Sequence, residues 1–181
     1  MNFYDLIVSG NVECLQVFEG DFAPYSTEDI QEGLDLSGIK SPEFTLRYKK
    51  TAKIRDWASV IVPVLSKKFK LLIEEVSNGE AQFFPIIAER EDKMERYDLY
   101  VLNYLTRIDA IDLKKSETFG KKKDILYYIT HPCLISSKLE GLDIFRLVGA
   151  DSRIFVSEKL AKLIRANNIT GVDLLPVKSI Q

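Results

Sequence analysis

The chain has 181 residues, 46% hydrophobic and 29% charged, with a formal net charge of −2 and a pI near 5.6. It is long enough to bury a core, and its acidity argues against a nucleic-acid footprint, which needs a basic face. Without an apolar run of roughly 18 residues or a basic leader, neither a membrane span nor a signal peptide is expected; a cytoplasmic setting is, with Cys14 and Cys133 as free thiols.

In chain order, Tyr4 to Val8 and Glu13 to Phe18 read as strands. Segment 19–56 carries Gly20, Pro24, Gly33, Gly38 and Pro42. It reads as loop with one short helix near Thr27–Glu32. A strand over Ser59 to Leu65 then leads into LSKKFKLLIEEVSNGEAQFFPI (65–86). Here Ser66 is placed to cap a helix, and Phe69, Leu72, Ile73 and Val76 fall on one helical face. Asn78-Gly79 supplies a turn. Phe83 to Ile86 forms a short strand, where Pro85 implies an edge or a strand end.

Tyr97 to Tyr104, Ile125 to Thr130, Leu134 to Leu139 and Ile144 to Val148 read as further strands, with KKSETFGKKK (114–123) as a polar connector. The chain then repeats itself. Residues 156–177, VSEKLAKLIRANNITGVDLLPV, align with 65–86 without a gap. Ser66/Ser157, Lys68/Lys159, Leu72/Leu163, Ile73/Ile164 and Pro85/Pro176 are identical. A shorter echo sets Tyr4 to Val8 against Tyr97 to Val101. Repeats constrain architecture before chemistry. The expected fold is α+β and strand-rich: two related capped helix–turn–strand units (65–86 and 156–177) packed on mostly antiparallel sheet. One compact domain is expected over 1–181, with room for two related halves.

Charge separates the two copies. Glu158 at the start of the second helix and Arg165 towards its end complement the helix dipole, whereas Lys67, Lys68, Glu74 and Glu75 oppose it in the first. Either a tertiary ion pair accounts for this, or the first helix displays its charges to a partner. Lys121, Lys122 and Lys123 form a second basic cluster, with a solvated surface as the plainer reading.

Two constellations suggest chemistry. Asp109 and Asp112 are spaced carboxylates that suit acid–base work or a metal, or else a turn with Ser116. His131 and Cys133 share a face of an extended chain, as a nucleophile dyad would; the plainer reading is a histidine at a strand end. No second histidine supports a tetrahedral metal site, and the phosphate-loop, dinucleotide and hydrolase strings are missing.

YDLYVLNYLTRIDAIDLKKS (97–116), IFRL (144–147) and IFVSEKLAKLIRANNITGVDLLPV (154–177) resemble the Myxococcus-type immunity protein family of bacterial polymorphic toxin systems, formerly a domain of unknown function. The first copy, LSKKFKLLIEE…FFPI, is similar to the stretch before Y-x-V-L-N in that family. The resemblance covers 57–177 and leaves 1–56, a strand and loop part, without a match. It implies a cytoplasmic antidote that binds a cognate toxin domain, with no cofactor, no metal, no catalytic residue, and neither nucleic acid nor membrane as partner. Asn103, Asp109, Asp112, Ser116, Ser157 and Gly171, which carry the motif, read as turns and caps. Lys67, Lys68, Glu74, Glu75 and Trp57 are the candidate binding residues, with Tyr25 as another possible anchor. The alternatives are a small enzyme using Asp109/Asp112 or His131/Cys133, and a regulatory module that binds a ligand between the halves.

Overall fold

The structure is a computed structural model that describes residues 2–9, 17–19, 26–38, 45–48, 54–59, 62–90, 92, 96–119 and 128–181. The first elements are β1 (Phe3–Val8), β2 (Val17–Glu19), α1 (Thr27–Glu32) and β3 (Thr45–Tyr48). Next come β4 (Trp57–Ser59), β5 (Pro63–Ser66), α2 (Lys67–Val76), β6 (Ala81–Arg90) and β7 (Arg96–Tyr104). They are followed by β8 (Arg107–Ile108), β9 (Glu117–Phe119), β10 (Tyr128–His131), β11 (Cys133–Ile135) and a 3-10 turn (Ser136–Leu139). The last are β12 (Ile144–Leu147), β13 (Ala150–Ser157), α3 (Glu158–Ala166) and β14 (Val172–Ile180). Cys14, Tyr25 and Lys121 to Lys123 lie outside the described residues.

Among the described residues two six-stranded sheets result. The first runs β2-β3-β6-β7-β5-β4, the second β11-β14-β1-β13-β12-β8, and β9 and β10 form a separate ribbon. Pairing is antiparallel except at β3/β6, β11/β14 and β12/β8. The N-terminal strand is central: β1 lies between β13 and β14.

The two longer helices form as their sequences require. The Ser66 hydroxyl accepts from Phe69 N at 3.2 Å and the Ser157 hydroxyl from Leu160 N at 3.3 Å, each from an extended N-cap. Phe69, Leu72, Ile73 and Val76 are buried on α2; Leu160, Ala161 and Ile164 are buried on α3, with Leu163 only partly so. They pack with Leu6, Leu65, Leu102 and Val156 in a core that draws on both sheets. Each such side chain contributes about 1.5–3 kcal/mol when fully buried. A second core lies on the other face of the first sheet, where Ile30 of α1 and Leu36 cover Val64, Phe84, Ile86 and Val101. Buried Asn103 anchors that cover, donating to Leu34 O at 2.7 Å and to Gln82 Oε1 at 2.9 Å.

Pro85 and Pro176 occupy strand interiors where, among the described residues, one side lacks a paired neighbour. Pro85 pairs with Tyr100 of β7, and β3 joins β6 only from Ile87. Pro176 pairs with Tyr4 of β1, and β11 joins β14 only from Lys178. A missing N–H costs no ladder bond on an open side. Tyr4 thus faces Pro176 as Tyr100 faces Pro85, whereas the short sequence echo sets Tyr4 against Tyr97.

Several boundaries differ from expectation. The strand expected over Ser59 to Leu65 is the end of β4 and most of β5, because Ser59 pairs with Pro63 and the chain reverses between them. Leu134 to Leu139 is strand only to Ile135; the Ser136 hydroxyl then donates to Ile180 O at 2.7 Å as the 3-10 turn begins. β3, β8, β9 and β13 arise in stretches with no predicted strand. The short helix at Thr27–Glu32 is present, closed by a Ser26/Asp29 capping box.

Candidate functional site

The reversed charges of α2 face a neighbour. Lys68 Nζ donates to Asn168 O, just past the end of α3, at 3.2 Å, and lies 3.9 Å from Asp56 Oδ2. At the other end, Glu75 is near enough to Lys159, at the start of α3, to help raise its pKa, after the hydrogen bond and charge of Asp143. The helices therefore run side by side in opposite directions. Charges misplaced for the dipole of α2 are well placed for that of α3. Lys70 and Glu74 form an ion pair one turn apart, with Lys70 Nζ 5.0 Å from the Phe83 ring centre. Lys67 and Glu75 are exposed, as is Leu71 between them. Trp57 is 3% exposed and packs edge-on to Phe69, so it belongs to the core of the isolated chain.

The same polar arrangement closes both helix N-termini. The Ser66 hydroxyl donates to Asp56 at 2.7 Å and the Ser157 hydroxyl to Asp143 at 2.6 Å; Lys159 bonds Asp143 at 2.5 Å. Asp56 also accepts from Thr170 N and Oγ1, each at 2.9 Å. Burial pushes its carboxyl up, but the bonds from Ser66 and Thr170 and the Lys68 charge outweigh this and hold it below the usual carboxylate value. Gly171 completes the clamp at φ +82°, where a Cβ would come within 2.3 Å of Trp57 O.

A second feature lies on the second sheet, on the face carrying Asp5, Arg153 and Leu175. A groove of about 410 Å³ opens there, walled by Glu117, His131 and Pro132. Asp5 is 3% exposed, and Arg153 bonds its Oδ2 through Nε at 2.9 Å and Nη2 at 2.5 Å. Arg153 Nη1 donates to Ile129 O at 3.0 Å and Thr130 O at 3.3 Å, tying the β9/β10 ribbon to the sheet. Burial pushes the Asp5 carboxyl up by more than Arg153 pulls it down. Its Oδ1 is buried without a hydrogen-bond partner. Sequence reasoning missed this pair, although an acid inside the apolar strand FYDLIV is itself a signal, since a buried charge needs a partner.

The candidate chemical groups have separate surroundings. Asp112 Oδ1 caps a turn, accepting from Lys114 N at 2.9 Å and Lys115 N at 3.2 Å, while Ser116 Oγ donates to Asp112 O at 2.7 Å. Asp109 is exposed, and its backbone oxygen accepts from Lys138. His131 pairs with Glu117 at 3.0 Å, both more than three-quarters exposed, whereas Cys133 is fully buried as a free thiol. Among the described residues, no group of three His, Cys, Asp or Glu is placed to hold a metal ion, and no helix is long and apolar enough to cross a membrane.

A profile described as the immunity protein family (Imm11) matches residues 19–179. The chain belongs to the Imm11 immunity protein family. The resemblance seen over 57–177 thus holds, and the Imm11 match reaches upstream to residue 19, into the part that had none. No curated protein matches the chain. In this Imm11 protein, Asp112, Ser116, Ser157 and Gly171 are the turn and cap residues expected. Asn103 differs: it is a buried strand amide that holds down the chain after α1.

Proposed function

We propose that this protein is a stoichiometric antidote in the cytoplasm, which binds a cognate bacterial toxin domain and blocks it without chemistry of its own. Membership of the immunity protein family carries this reading. The local geometry supports it: Asp112 serves a turn, Cys133 serves the core, and His131 is held against Glu117 on the surface. In this reading the charges of α2 are divided. Lys68 and Glu75 serve the packing of α3, whereas Lys67, Leu71 and Glu74 are exposed to solvent.

We also infer that the scaffold consists of two copies of one unit, β4-β5-α2-β6-β7 and β12-β13-α3-β14, the second completed by β1. Matching registers support this. Ser66 faces Leu99 as Ser157 faces Phe3, and Leu105 N bonds Glu80 O as Ser9 N bonds Gly171 O.

Co-expression with a candidate cognate toxin domain tests the function. Growth should be rescued, and a one-to-one complex should co-purify. Killing that proceeds equally with and without the protein would show that it is not the antidote. Loss of protection in folded Asp109→Ala, Asp112→Ala, His131→Ala or Cys133→Ala variants would favour the enzyme instead.

A further inference from the structure

We propose that the groove on the second sheet is where the toxin docks, and that it receives a segment presenting an apolar side chain next to a carboxylate. This rests on the antidote reading and adds the surface and the chemistry of the contact.

Corresponding faces of the two sheets differ in cover. Strand pairing gives Val64, Val101 and Phe84 of the first sheet the places that Phe155, Asp5 and Leu175 hold in the second. On the first sheet the chain covers that face itself, with Ile30 and Leu36, and Phe84 is 9% exposed. On the second, Leu175 is 50% exposed beside the groove. Phe155 and Asp5 are buried in the second sheet as well, but Leu175 is left open where its counterpart Phe84 is covered, and a half-exposed leucine beside Pro176 and Val177 favours an apolar occupant.

Charge defines the rest of the occupant. The carboxylates lining the groove are already engaged, Asp5 by Arg153 and Glu117 by His131. The ammonium groups of Lys115 and Lys178, which also line it, make no ion pair among the described residues. Arg153 uses four of its five N–H groups within the chain. Free positive charge around an apolar floor, on a protein of net charge −2, selects a carboxylate. The same ribbon carries Phe119, 74% exposed, opposite Tyr128, 66% exposed; exposed aromatics of this kind commonly anchor an interface.

The test measures affinity for the toxin domain that the wild-type protein neutralises. Leu175→Glu and the double variant Lys115→Glu/Lys178→Glu should each weaken binding at least tenfold with an unchanged melting temperature. The α2 variants Lys67→Glu and Glu74→Lys should stay within about twofold. Loss confined to the α2 variants, or groove variants that bind like the parent, overturns the proposal while leaving the antidote reading intact. A wild-type dimer that Leu175→Glu dissociates, with toxin binding unaffected, makes the groove a self-interface and also overturns it. A wild-type protein that binds no toxin domain removes the antidote reading and this surface with it.

Discussion

Asp5 and Arg153 are the residues whose removal should be felt most sharply. A buried ion pair adds little net stability, but breaking it strands a charge. Arg153→Met should cost about 2 kcal/mol at pH 7, less than the roughly 3–5 kcal/mol of a fully buried pair, because the arginine is partly exposed. The sign of its pH dependence follows from Asp5. Burial already raises the folded carboxyl above its unfolded value, and losing Arg153 raises it further. The ionised form then destabilises the fold above the folded pKa, and the penalty fades as pH falls through it. Urea unfolding at pH 7 and pH 4 checks this; an equal penalty at both would mean that Asp5 stays ionised. At this scale half of the pair was legible. An acid in FYDLIV asks for a partner, but Arg153, 148 residues away, is supplied by strand register.

At the scale of elements, both helices were readable from their serine caps and buried stripes, because those signals are local. The unfavourable charges of α2 were visible too, but not their cause, since the compensating helix lies a hundred residues further along. Lys68→Glu should therefore destabilise the protein by about 1 kcal/mol even though it gives α2 the anion its own N-terminus favours. The new glutamate would face the C-terminal end of α3 and Asp56. Part of the loss should disappear in 1 M salt, which shortens the screening length to about 3 Å. Thermal melts at low and high salt measure it, and a stabilised variant would show that the dipole of α2 itself dominates. Strands fared less well. β13 is central to the second sheet, yet ADSRIFVS mixes polar and apolar residues because Arg153 is matched by an acid on the next strand.

At the scale of the whole molecule, β1 is distant in sequence from the sheet it completes. Its start lies beside the end of β14, with Phe3 opposite Val177, so a short hairpin link would join them. Moving residues 2–9 to follow Gln181 through such a link should preserve a cooperative fold, with a midpoint within about 4 °C of the parent, or roughly 1 kcal/mol for a chain of this size. Loss of cooperative unfolding would show that β1 depends on its own connection to the chain that follows it. Local chemistry in the amino-acid order determined the helices, their caps and the turns, along with the family to which the chain belongs. Each depends on neighbours a few residues apart or on a preserved string of them. Long-range pairing decided which sheet receives the first strand, which helix accepts the charges of the other, and that Phe84 is covered by the chain while Leu175 is left half-exposed. Those outcomes depend on contacts between segments whose separation in sequence carries no record of their meeting.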